Sequence, residues 1–233
     1  MGRDRSLTLL RSRSRTGVVG AARGAREIAG KTSVEAGEPA PGAEREGAAR
    51  HILDAAARLL RHRGYEAATT RAIAQEVGIK AGSIYHHFGS KDEIVEAVMN
   101  DGVRFVREAV ATALAALAPD ASPRDRLETA LRAHLLSSLE HSDYTSASIR
   151  AFAFMPSSIR ARCTAERQKY EELWRDISSD LLRQYGGNRD ISPDALRLML
   201  LGAVNWAGEW YRPGPLSINK IARDFACSIL GGN

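Results

Sequence analysis

The chain contains few of the residues from which catalytic, metal and disulfide sites are usually built. Its 233 residues include only two cysteines, Cys163 and Cys227, which are far apart and form no C-x-x-C pair. A disulfide framework or a thiolate zinc site is therefore unsupported, and we expect neither a metal site nor a cofactor. The motifs G-x-S-x-G, G-x-x-x-x-G-K-[ST], G-x-G-x-x-G and H-E-x-x-H are also absent, so we expect that the chain is not an enzyme.

Long apolar runs and strand-like alternation are missing as well. No run of 18 or more apolar residues exists, so we expect no membrane span. The first residues lack the unbroken apolar stretch and cleavage site of a secretory signal, which makes the expected location cytoplasmic. Hydrophobic residues make up 44% of the chain, an ordinary share for a soluble protein, and they recur at helical spacings. The predicted fold class is all-α.

Basic residues are concentrated at the start of the chain. The net charge is +5, and residues 1–50 carry ten lysines and arginines against six acids, so the rest is close to neutral. Residues 1–46 have too little apolar surface to offset the entropy of ordering, and we predict a disordered basic arm. This arm could lie along DNA phosphates or in a minor groove, could be a solvated tail without a role, or could reflect a start site placed too far upstream.

Residues 69–91 combine two short helical patterns around a glycine. Two threonines can cap the first helix, and Gly78 can end it in a left-handed backbone conformation. A second helix, over about residues 80–88, would bury Ile84 and turn polar side chains outward. An earlier helix over about residues 47–63 has the apolar spacing to brace the pair. The pattern predicts a helix-turn-helix, whose second helix can enter the major groove of DNA; the alternative is a helical hairpin with a solvated face.

The literal residues favour the DNA-binding alternative. The stretch YHHFGSK, with Gly64-Tyr65 and Val77-Gly78 before it, resembles the DNA-binding domain of TetR-family transcriptional regulators over about residues 48–95. Hydroxyl groups at a helix start, a lysine at the head of the recognition helix and small residues behind it suit contact with phosphates and base edges. The predicted DNA-contacting residues, the last three of which rest on the resemblance, are Thr69, Thr70, Lys80, Ala81, Gly82, Ser83, Tyr85, His86 and Lys91.

The resemblance also divides the chain into three parts. These are the basic arm over residues 1–46, a helix-turn-helix DNA-binding domain over residues 47–93, and a larger helical effector-binding and dimerisation domain over residues 94–233. In the last part the sequence predicts only helices, separated by proline and glycine. Their predicted ranges are about 91–117, 123–141, 145–155, 157–185, 193–211 and 217–230. Small residues and wide apolar stripes on the C-terminal helices predict a homodimer.

The segment NWAGEWYRPGPLSINKIARDF resembles TetR regulators that control fatty-acid and steroid catabolism and respond to acyl-CoA thioesters. The resemblance implies a small-molecule effector of that class. Aromatic, methionine and arginine side chains could line its pocket, although core packing explains the apolar ones equally well. His134 and His141, seven residues apart, are predicted to be surface histidines. The predicted effector-binding residues are Phe152, Met155, Arg162, Trp206 and Trp210.

Together these features predict a ligand-responsive transcriptional regulator. We expect a homodimeric repressor that binds an inverted-repeat operator in double-stranded DNA and is released by a small molecule, such as an acyl-CoA thioester. Three alternatives remain: a regulator of drug or efflux response with an aromatic hydrophobic effector, an activator, and, least favoured, a helical enzyme. An architectural DNA-binding protein would not need so long a C-terminal region.

Overall fold

The computed structural model describes residues 41–186 and 190–230, and every regular element within them is helical. This confirms the all-α prediction. Most of the predicted arm, residues 1–40, lies outside the described part. The α-helices in that part are α1 (Pro41–Ala67), α2 (Thr70–Val77), α3 (Ala81–Ile84), α4 (Lys91–Ala115), α5 (Pro123–Leu136), α6 (Asp143–Arg150), α7 (Ser157–Arg162), α8 (Thr164–Tyr185), α9 (Pro193–Asn205), α10 (Ala207–Trp210) and α11 (Ile218–Leu230). A π-helical turn (Ser137–His141) follows α5, and a 3₁₀ turn (Phe152–Phe154) follows α6.

The first helix starts earlier than the sequence predicts and is interrupted where it predicts. α1 begins at Pro41 rather than near Gly47, because a proline in the first turn of a helix lacks only an N–H that would be unpaired anyway. Its helical geometry is broken at Gly64, which has a φ of 76° and a ψ of −178°. Glycine adopts a positive φ without strain. The chain turns there, and Tyr65 is buried against the following helices.

The recognition helix is shorter than predicted. α3 ends at Ile84, and residues 85–87 continue as a turn. The Phe88 N–H still donates to the Ile84 carbonyl oxygen at 3.0 Å. The four-residue spacing of these two apolar side chains is thus kept by a helical turn that does not continue.

The helices predicted over residues 157–185 and 193–211 are each interrupted, so these two predictions are wrong. α8 begins at Thr164, whose hydroxyl donates to the Ala161 carbonyl oxygen at 2.8 Å. A hydroxyl that bonds the preceding turn competes with continuation of the helix. α9 and α10 are separated at Trp206, and no contact in the described part explains that break.

The helices predicted over residues 123–141 and 145–155 also change type before they end. The first is α-helical to Leu136 and then widens into the π-helical turn, where Ser146 Oγ donates to the Ser138 carbonyl oxygen at 2.5 Å. A hydroxyl from a neighbouring helix thus replaces a bond of the helical ladder. The second divides into α6 and the 3₁₀ turn.

Two hydrophobic cores share the central helix α4. The first core joins α1, α2, α3 and the first half of α4 to α6 and α7; its largest fully buried residues are Ile52, Leu60, Ile73, Ile84, Ile94, Met99 and Ile159. The second core joins the rest of α4 to α5, α8, α9 and α11; its largest fully buried residues are Leu127, Leu131, Leu135, Trp174 and Ile177. We call residues 46–99 the head and residues 100–230 the C-terminal region.

Candidate functional site

The turn between α2 and α3 is fixed by local interactions. Thr69 is the N-cap of α2, and its Oγ1 accepts a hydrogen bond from the Ala72 N–H at 3.1 Å. Gly78 ends the helix with a left-handed φ of 79°. The next N–H, that of Ile79, closes the turn by donating to the carbonyl oxygen of Ala74 at 2.9 Å. The predicted cap and the predicted glycine stop are both confirmed.

The outer side of α3 is polar and open to solvent. Ile84 is fully buried beneath it, whereas Tyr85 has 59% of its surface exposed. His86 is exposed and His87 is half-buried. The small side chains at the start of α3 leave its backbone accessible to a groove of DNA. On this surface and the adjoining cap, the predicted contacts Thr69, Lys80, Ala81, Gly82, Tyr85 and His86 are exposed, and Thr70 and Ser83 are half-buried. Accessibility is what DNA contact requires, and the contacts themselves stay predictions.

Lys91, at the start of α4, has a structural role that the sequence did not reveal. Its Nζ donates to the Tyr65 carbonyl oxygen at 2.7 Å and lies 3.8 Å from the centre of the Tyr65 ring. The Tyr65 hydroxyl donates to Asp92 Oδ1 at 3.0 Å. Burial raises the pKa of Tyr65 to about 12, with help from Asp92, so the hydroxyl remains a donor. α4 therefore holds the end of α1 through two consecutive side chains.

Polar contacts join α1 of the head to the start of α6. Arg61 Nη1 donates to Asp143 Oδ1, and the Tyr144 hydroxyl donates to Asp54 Oδ1 at 2.7 Å. The Arg50 guanidinium lies 4.8 Å from the centre of the Tyr144 ring. Burial raises the pKa of Tyr144, and its hydrogen bond to Asp54 raises it further. Arg50, Asp54, Asp143 and Tyr144 line a cleft of about 360 Å³ between the head and the C-terminal region.

The structure does not bring the predicted effector-binding residues together. Met155 is buried in the first core. The Phe152 ring packs under the Arg167 guanidinium at 3.8 Å. Arg162 forms an ion pair with Glu96 of α4 at 3.1 Å. These three residues lie near one another along the chain but line no common cavity in the described part.

Trp206 and Trp210 lie elsewhere, on an apolar surface of the last helices. They keep 66% and 46% of their surface exposed. Together with Ala203, Ile221 and Phe225 they line an open groove of about 350 Å³ whose walls are apolar. This position suits contact with another protein surface as well as it suits a ligand.

His134 is buried, so its prediction as a surface histidine is wrong. Its Nδ1 lies 2.7 Å from the Tyr170 hydroxyl, and its ring packs against Tyr170 and edge-on to Trp174. Burial lowers the pKa of His134 from its ordinary 6.5 to about 4, against the opposing effect of the Asn205 amide. The imidazole is thus neutral at pH 7. His134 continues the apolar stripe of Leu131 on α5, which is the sequence signal that places it inside.

A small cavity beside His134 adjoins a larger cleft. The cavity has a volume of about 40 Å³ and includes five further polar side chains, Ser148, Arg167, Tyr170, Glu171 and Asn205. The cleft has a volume of about 250 Å³ and carries three arginines, Arg61, Arg150 and Arg212, and two glutamates, Glu140 and Glu209. Ile149 and Asn205 line both spaces. The two are therefore neighbours, one small and enclosed by helices, the other larger and basic.

The described residues contain neither a cluster of metal ligands nor a membrane-spanning helix. Within 41–186 and 190–230 no group of three or more His, Cys, Asp or Glu side chains could hold a metal ion. The side chain of His141 lies outside the described part. No described helix combines the length and apolar character needed to cross a bilayer.

Two sequence profiles of known families match the chain. The profile described as "Bacterial regulatory proteins, tetR family" matches residues 52–98. The profile described as "Tetracyclin repressor-like, C-terminal domain" matches residues 120–232. The two matches cover the head and most of the C-terminal region.

Individual relatives agree with the profiles. The HTH-type transcriptional repressor KstR2 of Rhodococcus jostii strain RHA1 is 31% identical over 195 residues, which cover 78% of this chain and 88% of that protein. The TetR family transcriptional regulator PfmR from Thermus thermophilus is 28% identical, with a TM-score of 0.64 over 78% of this chain and 97% of that one. AibR, in complex with isovaleryl coenzyme A and operator DNA, is 27% identical, with a TM-score of 0.69 over 79% of this chain and 99% of that one. These relatives are transcriptional regulators, which confirms that the chain is not an enzyme.

Proposed function

Because the chain belongs to the TetR family of bacterial transcriptional regulators, we propose that it is a repressor that binds an inverted-repeat operator as a homodimer and leaves it when a small molecule binds. The observation that carries the proposal is the exposed polar side of α3, seated on the buried Ile84. Its small residues allow a close approach to base edges, and Lys80 is exposed with no partner among the described residues. Ser83 is the residue we expect to influence operator preference, because a hydroxyl can donate or accept at a base edge.

A homodimer is supported by the exposed apolar surface of α9 and α10. Leu198, Met199, Trp206 and Trp210 keep between 46% and 66% of their surface exposed. Large apolar residues clustered in this way usually mark a protein interface. A two-fold axis there would present two heads to half-sites about one helical turn, ~34 Å, apart on one face of DNA.

The oligomeric state can be tested with a matched pair of substitutions. Trp206→Glu places a charge on the apolar surface and is expected to convert the dimer into a monomer in light scattering. Phe154→Glu is the control, because Phe154 is 79% exposed but lies on the 3₁₀ turn after α6. A Trp206→Glu protein that remains dimeric at micromolar concentration would contradict this interface.

The effector class that we propose is an acyl-CoA thioester. The similar protein AibR has been solved with isovaleryl coenzyme A and operator DNA, and this chain places an arginine-bearing cleft beside a small cavity lined by both apolar and polar side chains. A molecule with a phosphate-bearing end and an acyl end suits such a pair of spaces. An aromatic drug-like effector would not need the three arginines.

The proposal is tested by isolating an operator and then releasing the protein from it. Duplexes selected from a random library are expected to contain an inverted repeat. Octanoyl-CoA or isovaleryl-CoA is expected to release the protein from that duplex in a gel shift, and a reporter under this operator is expected to be silent until the acyl-CoA accumulates. A reporter that requires the protein for expression would show an activator. Release by aromatic drugs but by no acyl-CoA would show that the effector is an aromatic molecule and that the proposed acyl-CoA class is wrong.

A further inference from the structure

The imidazole of His134 presents an unpaired N–H group inside the C-terminal region. Its Nε2 is fully buried and makes no hydrogen bond of normal geometry, although the Asn205 amide on the same cavity acts against burial to raise the pKa of the ring, while Nδ1 lies 2.7 Å from the Tyr170 hydroxyl. If Tyr170 donates to Nδ1, the ring proton is on Nε2 and one buried donor is unpaired. If Nδ1 donated instead, both Nε2 and the hydroxyl proton would lack partners, which costs more. The first tautomer is therefore favoured, and an acceptor in the cavity beside the ring, either the Asn205 amide oxygen or a ligand atom, would pair the buried N–H group.

That cavity suits an oxygen atom of a mostly apolar molecule. Its volume of about 40 Å³ has room for a water, and a ligand oxygen would take the same place. The walls around it include Val103, Val106, Ile149 and Leu201. Ile149 and Leu201 are only half-buried, so their side chains can move to admit an acyl chain. The N–H group is a suitable donor to the carbonyl oxygen of an acyl group, and the Arg167 guanidinium lines the same cavity.

The neighbouring cleft offers three arginines to an anion. Arg150 pairs with Glu209 at 3.2 Å, Arg61 pairs with Asp143, and Arg212 donates to main-chain carbonyl oxygens. The side chains of Arg61 and Asp143 are 32% and 34% exposed, and ion pairs that are open to water contribute little stability. A phosphate group binds arginine through two parallel hydrogen bonds and carries more charge than a carboxylate. It can therefore replace Asp143 as the partner of Arg61.

We propose that an acyl-CoA effector occupies both spaces at once, with its acyl carbonyl oxygen on His134 Nε2–H and its phosphate groups among Arg61, Arg150 and Arg212. This inference rests on the effector class proposed above and adds the residues that bind its two ends. Arg61 belongs to α1 of the head, and Asp143 is the first residue of α6. When phosphate takes Arg61, one of the polar links between the head and the C-terminal region is lost. The head can then leave the orientation that fits the operator.

Calorimetric titration of the full chain with octanoyl-CoA and with free CoA distinguishes binding of the ligand's acyl end from binding of its phosphate-bearing end. Arg212→Ala is expected to weaken both ligands by about tenfold, because both carry the phosphates and a charged hydrogen bond is lost. Arg183→Ala is the matched control and is expected to change neither. Arg183 is an exposed arginine paired with Asp180, and it does not line the cleft.

Substitution of His134 is expected to affect only the acylated ligand. His134→Leu removes the donor and should weaken octanoyl-CoA by about fivefold to tenfold while leaving free CoA unchanged. In His134→Gln the side-chain amide supplies an N–H near the position of Nε2. This variant is expected to bind octanoyl-CoA within about threefold of the unaltered protein, and it keeps the test open if the leucine variant does not fold.

Asp143→Asn is expected to raise the affinity for the CoA ligands, whereas the substitutions of Arg212 and His134 lower it. The asparagine substitution removes the carboxylate that competes with phosphate for Arg61, and the affinity for both CoA ligands is expected to rise by about threefold. A purely structural role of Asp143 would leave that affinity unchanged or lower it. The measurement therefore distinguishes exchange of partners from loss of a stabilising contact.

The outcomes separate this inference from the proposed function. If octanoyl-CoA does not bind the unaltered protein, the effector class is wrong and this site is wrong with it. If it binds the unaltered protein and the His134, Arg212 and Asp143 variants equally, the residues assigned here are wrong and the effector class stands. If His134→Leu also weakens free CoA while His134→Gln does not, the division into two ends is wrong.

Discussion

The head and the C-terminal region bury polar groups in different ways. Among the described residues of the head, every buried side chain is hydrophobic, from Ile52 to Met99. The C-terminal region also buries polar and charged residues, namely His134, Ser137, Ser138, Thr145, Ser146, Ser148, Ser178 and Arg197. The buried nitrogens without a hydrogen-bond partner, including His134 Nε2 and Arg167 Nε, lie there as well.

The difference shows which region is built to be rigid and which to bind. The core that the head shares with α6 and α7 is apolar, so these helices are held to the head by close packing. An unpaired buried donor costs about 1–3 kcal/mol, which packing does not recover. A ligand that supplies the missing acceptor therefore gains more binding free energy in the C-terminal region than anywhere in the described head. Three measurements test this difference between the two regions.

The largest expected effect is a loss of stability in acid that comes from the C-terminal region alone. The pKa of His134 is about 4 in the folded protein and 6.5 when exposed, so the unfolded chain binds more protons between these values. The free energy of unfolding should therefore fall by roughly 3 kcal/mol as the pH drops from 6.5 to 4. Urea unfolding at several pH values measures this, and His134→Gln should remove that part of the slope. An equal slope in both proteins would contradict the burial of a neutral imidazole.

An intermediate effect is expected at the crossing of α4 and α6. A Cβ on Gly102 would lie 2.3 Å from the carbonyl oxygen of Tyr144, so Gly102→Ala should lower the free energy of unfolding by about 2 kcal/mol through overpacking. Gly47→Ala is the matched control. Gly47 is also helical, but a Cβ there meets nothing within 4 Å, and alanine should stabilise α1 by about 0.5–1 kcal/mol. Changes of the same sign in the two variants would show that the crossing is not tightly packed.

The smallest effect separates stability from DNA contact within the head. Lys91 Nζ donates to the Tyr65 carbonyl oxygen, so Lys91→Met should lower the free energy of unfolding by about 1 kcal/mol. Lys80→Met should leave stability unchanged and should lower the salt dependence of operator binding by about one phosphate contact. Urea unfolding and binding at several ionic strengths measure the two quantities. If Lys91→Met also lowers the salt slope, the predicted phosphate contact of Lys91 is real in addition to its structural one.

The head could be predicted closely because its signals are local. The cap at Thr69 and the glycine turn at Gly78 depend on residues within one helical turn, and the structure has both. The end of α3 was placed too late because Ile84 and Phe88 are spaced alike in a helix and in the turn that follows it. Lys91 was assigned by resemblance to a phosphate, and nothing in the sequence indicates that its ammonium also binds a carbonyl oxygen 26 residues earlier.

The C-terminal region was harder to predict because its breaks depend on distant contacts. The π-helical turn involves a serine on another helix, Ser146, which no periodicity reveals. The predicted effector residues were chosen by residue type, and the structure scatters them over a core, a surface ion pair and an exposed apolar groove. The cavity beside His134 was missed because a single histidine in an apolar stripe was taken for a surface residue.

Gly102 lies near the middle of α4, where the helix crosses α6, so a tilt of α4 about that crossing moves both of its ends. The helix rises about 1.5 Å per residue, so its first residue, Lys91, lies about 16 Å from the crossing with α6. A tilt of roughly 5° about that crossing moves the Lys91 end by about 1.4 Å, and twice that between the two copies of a symmetric dimer, against a half-site repeat of ~34 Å. A displacement too small to disturb either core would then be large enough to misalign two recognition helices on their half-sites.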